Sequence, residues 1–323
     1  MALDHFVSQV HLRNFFSPAL GERLYAIRKS NGKTFTPGSG AICGIRDGST
    51  NAFLERDRVV EEFLNTIEPN YDAAVKRLSE GSIDPECVYV IAGFAAYIAT
   101  CSPAGMRIQA EPLKAELDSV ARILDRTGML PPPPAALNGK NIAELLDNGT
   151  LRLFVDHKFP QAIGIQNMLG MTAMFGNANW EIMHNHCEDS RFFTSDFPLA
   201  IEQSGNSELL NRVLPLTPRL AVRIRANAGL RKRQRDLDFA HFRYRVRTLT
   251  RSEVRAVNRL VVQCAEDLIL YSDDRPWVKP FVAKYSRYHL RTITERFGDP
   301  RAAFLKSRLQ IVERDSRQNP VDH

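Results

Sequence analysis

The stretch CVYVIAGFAAYIAT, residues 87–100, runs for fourteen residues without a charge. That is too short to cross a bilayer and suits a helix buried on all sides. The rest of the 323-residue chain must therefore wrap around it. A chain of this length can bury one large core or two small ones. With 44% hydrophobic and 25% charged residues, the composition is that of an ordinary globular protein. The N-terminal MALDHFVSQVHLRNFF carries Asp4, His5 and Arg13 where a secretory signal would be apolar, so no leader and no membrane span are expected. The five cysteines, at 43, 87, 101, 187 and 264, have neither zinc-ligand spacing nor disulfide density. A reduced, cytoplasmic setting is the expectation.

Local patterns divide the chain. Residues 1–50 read as irregular structure with short strands, one at RLYAIRK and another inside NGKTFTPGSGAICG. From Glu55 the apolar positions Val60, Phe63, Leu64, Ile67, Tyr71, Ala74, Val75 and Leu78 recur at helical spacing, with Pro69 dividing the element and Gly81 ending it. Helices are expected over 86–100 and 110–127. PPPP at 131–134 makes a stiff connector within one domain, followed by a short helix in NIAELLDNG. A long helix over about 151–175, bent near Pro160, follows. NWEIMH and RFFTS then read as two paired strands around the polar turn NHCED, and RLAVRIRA and FRYRVRTL as two more. Thr250 and Glu253 have capping-box spacing ahead of a helix. The order predicts an α+β fold, a mostly helical body with a small antiparallel sheet. One such domain is expected over 1–270, then a helical C-terminal extension over 271–323 whose end, ERDSRQNPVDH, is frayed.

Several places carry chemistry. His5, Gln9, His11, Arg13 and Asn14 lie among apolar residues in the opening segment. His5 could serve as a base or ligand and Arg13 could grip an anion, or the segment is merely docked by its aromatics. Glu61 and Glu68 lie two helical turns apart beside the apolar stripe. HNHCED at 184–189 offers metal-ligand types, which a polar turn explains equally. The Walker A, dinucleotide, zincin and nucleophile-elbow motifs are all absent.

Charge is uneven. The net is +6, yet between Arg219 and Arg259 thirteen Lys and Arg face three acids, a local +10 that leaves the remaining chain at −4. Within this region Arg223, Arg225, Arg231, Lys232, Arg233, Arg243 and Arg245 alternate or cluster near Phe239, Phe242 and Tyr244. That mixture suits phosphate contact and base stacking.

Several of these blocks together resemble the bacterial domain-of-unknown-function family 4238. HFVSQVHLRNF matches its opening signature, with Ser8 in place of a proline. VVEEFLNTIE matches its acidic helix, and Trp180 with FFTSDFPL its Thr-Ser-Asp block. LPLTPRLAVRI and Asn258 match further positions, while Cys101 stands where the family has an arginine. The resemblance spans roughly 5–270 and implies that His5, Gln9, Arg13, Glu68, Ser195 and Asp196 recur together, with Asn14 in support.

Two functions follow as expectations. In the first, a metal-dependent phosphodiesterase or nuclease of bacterial defence, Glu68 and Asp196 hold a divalent cation such as Mg²⁺ or Mn²⁺. His5 then moves a proton, Arg13 stabilises the anion and Ser195 completes the set. In the second, a non-catalytic nucleic-acid-binding or regulatory protein, the basic strands bind the polyanion and the His/Ser-Asp residues form a structural network.

Overall fold

The computed structural model describes residues 3–131, 133, 135–203, 209–226, 236–298 and 304–314. The chain opens with β1 (Leu3–His5), α1 (Gln9–Arg13), β2 (Tyr25–Arg28), β3 (Thr34–Phe35) and β4 (Gly44–Arg46). A helical block follows: α2 (Val59–Ile67), α3 (Tyr71–Glu80), α4 (Pro85–Cys101), α5 (Pro103–Arg126), α6 (Ile142–Asp147), α7 (Lys158–Gln166) and α8 (Met168–Gly176). Next come β5 (Asn179–His184), β6 (Thr194–Ser195), β7 (Ala200–Gln203), β8 (Leu210–Thr217), β9 (Leu220–Arg225) and β10 (Arg243–Thr248). The chain ends with α9 (Arg251–Cys264), β11 (Leu268–Tyr271), α10 (Val278–Tyr285), β12 (Tyr288–Phe297) and β13 (Phe304–Glu313).

α4 is the centre, as its composition requires. All its residues except Pro85, Glu86, Tyr89 and Ala99 are buried, and α2, α3, α5, α7 and α8 pack around it. Asp84 caps its N-terminus by accepting from Cys87 N at 2.8 Å. Pro69 divides α2 from α3 through a single 3₁₀ turn, and Gly81 ends α3 in the left-handed conformation that favours glycine.

The expectation of a mostly helical body with one small sheet is overturned. Helix accounts for 41% of the molecule and strand for 23%. The strands form four sheets with orders β1-β4, β10-β5-β9-β8-β7, β3-β2-β11-β6 and β12-β13. The five-stranded sheet is mixed, because β10 lies parallel to β5 while the other pairs are antiparallel.

The expected pairing of NWEIMH with RFFTS also fails. β5 lies between β9 and β10, whereas β6 joins β11 in the four-stranded sheet. The long helix expected over 151–175 is two helices broken at Asn167. The C-terminal extension is helical only in α10, since β12 and β13, ten residues each, form a hairpin that packs on α5 and α9. Residues 315–323 lie outside the described residues, as do Pro132 and Pro134 of the connector.

Candidate functional site

The residues expected to form one site fall into separate groups. His5 sits in β1 opposite Gly44 of β4, with Nε2 3.3 Å from the Gly40 carbonyl. Its own carbonyl accepts from the Tyr97 hydroxyl at 2.9 Å. Gln9 Oε1 accepts from Ser39 Oγ at 3.3 Å on the same turn. Burial above all, and then Cys101, Glu68, Glu61 and Asp4, hold the Tyr97 phenol well above its ordinary range. The His5 backbone and Glu68 thus share the surroundings of Tyr97. Asn14 points elsewhere, donating to Asp72 at 3.4 Å. Arg13 is exposed, and its guanidinium has no hydrogen bond or ion pair among the described residues.

Ser195 and Asp196 form the clasp of a turn. Ser195 Oγ accepts from Phe197 N at 3.1 Å. The Asp196 carboxylate, in a residue only 6% exposed, accepts from three successive backbone amides where the chain enters β11. These are Glu266 N at 2.9 Å, Asp267 N at 2.7 Å and Leu268 N at 2.8 Å. Burial pushes its carboxyl up to about 6, against the pull of the Leu268 and Asp267 bonds. A carboxylate so enclosed directs its oxygens to backbone amides, the arrangement of a structural clasp. Among the described residues no group of three or more His, Cys, Asp and Glu is placed to hold a metal ion.

The N-terminal segment does reach the Thr-Ser-Asp strand, through His11 and not His5. His11 is fully buried, with Nδ1 2.8 Å from the Tyr71 hydroxyl and Nε2 2.8 Å from Thr194 Oγ1. Its ring stacks on Phe94 at 5.0 Å, and burial drives its pKa down to about 3. Its spacing from Phe15, one helical turn on, was the signal that it faces the core.

The basic strands assemble around a residue that the sequence did not single out. Glu181 of β5 lies opposite Arg223 of β9 and Arg245 of β10, so one sheet face brings all three together. Arg223 bonds Glu181 Oε2, Arg225 reaches the same oxygen at 3.2 Å, and Arg245 and Arg247 reach Oε1 at 2.8 and 3.2 Å. Arg223 is therefore not outward-facing as expected, because its guanidinium is enclosed between Glu181 and Glu202, 2.8 Å away. Arg247 also meets Glu253 at 2.6 Å. Glu181 is 0% exposed. Burial alone would raise its pKa, but Arg223, then Arg225 and Arg247, hold it down at about 2. The unpaired acid in NWEIMH, between strands of alternating arginine, was the only clue. Arg243 is exposed at the start of β10. Arg231, Lys232 and Arg233 lie outside the described residues, in the connection between β9 and β10.

HNHCED is not a turn between paired strands. Asn185 is buried, donating to the Ser190 carbonyl at 2.8 Å and the Pro218 carbonyl at 3.2 Å. Glu188 pairs with Arg191 and Arg219, and Asp189 with Arg251. His184 and His186 instead line a cleft of about 360 Å³ with Asn14, Asp72, Lys76 and Arg219, their rings near-parallel at 6.2 Å. Burial, and then His186, lowers the His184 pKa.

These features define an α+β protein with a buried polar clasp and an arginine-rich sheet face. The chain belongs to the family described as a protein of unknown function, DUF4238, which matches residues 4–275. No curated protein and no solved structure matches it.

Proposed function

We propose that this protein binds nucleic acid through the arginine face of the five-stranded sheet, and that the His11/Thr194/Asp196 residues are its structural network. The observation that carries this reading is the convergence of four guanidiniums on one buried carboxylate. A single glutamate needs one such partner, and four leave an excess of positive charge even after Glu202 and Glu253 are counted. Arg245 keeps 57% of its side chain in solvent while anchored, so it is both oriented and available. In sequence, the connection from β9 to β10 also carries Arg231, Lys232, Arg233 and Arg235. Such a surface neutralises phosphates in a salt-dependent way.

The test is fluorescence anisotropy of a labelled oligonucleotide at several salt concentrations. The double variant Arg245→Ala, Arg247→Ala should bind at least tenfold more weakly and lose about two from the salt slope. Asp196→Ala should keep its affinity while melting lower, since three backbone amides lose their acceptor at roughly 2–4 kcal/mol. Salt-independent binding, or affinity unchanged in the double variant, would overturn the reading.

A further inference from the structure

β10 is an outer strand: it pairs with β5 on one side, and among the described residues no strand lies on the other. Its side chains alternate in an unusual way. Arg243, Arg245 and Arg247 share the face of Glu181, while Tyr244 and Val246 share the face of Trp180 and Ile182. In a half-buried strand the apolar row would be inside. Here Tyr244 is 45% and Val246 52% exposed.

The aromatic row is nevertheless anchored. Phe242 meets the buried Trp180 edge-on at 5.2 Å, and Tyr244 stacks on Phe242 at 5.7 Å with the rings 24° apart. Arginines alone would stop this edge from pairing with another chain. They do not account for a fixed, exposed ring on the other face of the same edge.

We infer that the β10 edge is a track for single-stranded nucleic acid, with phosphates on the arginine row and an unpaired base on Tyr244. The inference rests on the nucleic-acid reading above and narrows its ligand. A duplex hides the faces of its bases, so an exposed ring on a basic edge serves only an unpaired strand. Glu181 holds Arg245 and Arg247 in place before any ligand arrives, so little side-chain freedom is lost on contact. An acidic peptide added as a further strand would use the same arginines but would leave the ring without a stacking partner.

Anisotropy should compare a labelled oligo-dT with a duplex of equal length, using wild type, Tyr244→Ala, Tyr244→Phe and the Arg245/Arg247 double alanine variant. Tyr244 is exposed, so its variants should fold, and melting curves check this. Wild type should prefer the single strand by at least tenfold. Tyr244→Ala should lose about tenfold on the single strand and almost nothing on the duplex, with Tyr244→Phe near wild type. Equal affinity for both forms, unchanged by Tyr244→Ala but weakened by the arginine variant, would overturn the single-strand inference and leave the broader reading standing. Absence of binding to either form would overturn both, as would poly-glutamate binding more tightly than oligo-dT.

Discussion

His11 is fully buried, and each of its ring nitrogens faces one hydroxyl, from Tyr71 and Thr194. A neutral imidazole can donate from one nitrogen and accept at the other, and the two hydroxyls complete that pattern. Protonation breaks it and places a charge in a dry site. The pKa falls from 6.5 in the unfolded chain to about 3 in the fold, so below pH 6.5 the unfolded chain takes up a proton that the fold refuses. The contribution is therefore present above pH 6.5 and lost as pH falls towards 3. Asp196 works the other way, because its pKa is raised to about 6 and the fold takes up a proton between about pH 4 and 6. His11→Gln should be less stable than wild type at pH 7 by ~2–4 kcal/mol, with a gap that narrows at pH 4. Urea unfolding at both pH values measures this, Asp196 being common to both proteins. A gap independent of pH would show that His11 does not titrate with folding.

Among the elements, α4 and α5 meet at the tightest point of the helical block. The sequence places helices at 86–100 and 110–127, but the observed pair runs 85–101 and 103–126 with only Ser102 between them. Ser102 serves both helices: its hydroxyl donates to the Ile98 carbonyl at 2.6 Å and accepts from Gly105 N at 3.1 Å. A Cβ on Gly105 would stand 2.4 Å from the backbone oxygen of Ala99, which no side-chain rotation relieves. Gly105→Ala should therefore lower stability by roughly 1–3 kcal/mol although alanine is the better helix former. Chemical denaturation of the variant checks this, and a neutral or stabilising result would mean that the corner can open. The stop at Gly81 and the cap at Thr250 were legible because each acts within a few residues of itself. The partners of β5 and β6 were not, because alternation reveals a strand and its faces but not which strand lies beside it.

On the scale of the whole molecule, the terminal hairpin is joined to the body by bonds from two separate parts of the chain. Lys29, at the end of β2, donates to the Tyr288 carbonyl at 2.8 Å and to the Ala265 carbonyl at 2.6 Å. Arg107 of α5 donates to the Leu290 carbonyl at 2.8 Å, and Glu111 accepts from Thr292 N. Leu290 is itself fully buried. Although the family match ends at 275, the hairpin completes the core of this chain. Ending the chain after Ser286 should lower the melting temperature by roughly 10 °C, since several kcal/mol are lost at 2–4 °C each. Circular dichroism melting tests this, and an unchanged midpoint would make the hairpin an appendage.

The sequence by itself determined the central helix, the divided α2–α3 element with its glycine stop, the basic strands and the family blocks. Each of these depends on periodicity, composition or capping within a short span. Tertiary structure decided that β10 runs parallel beside β5, that the tail is a hairpin, and that four arginines share Glu181. It also decided that His11, and not His5, meets the Thr-Ser-Asp strand. Apart from the hairpin's own ladder, those outcomes depend on contacts between residues 42 to 183 positions apart. Such pairings follow from which surfaces the folded elements leave to be buried, and no local pattern records them.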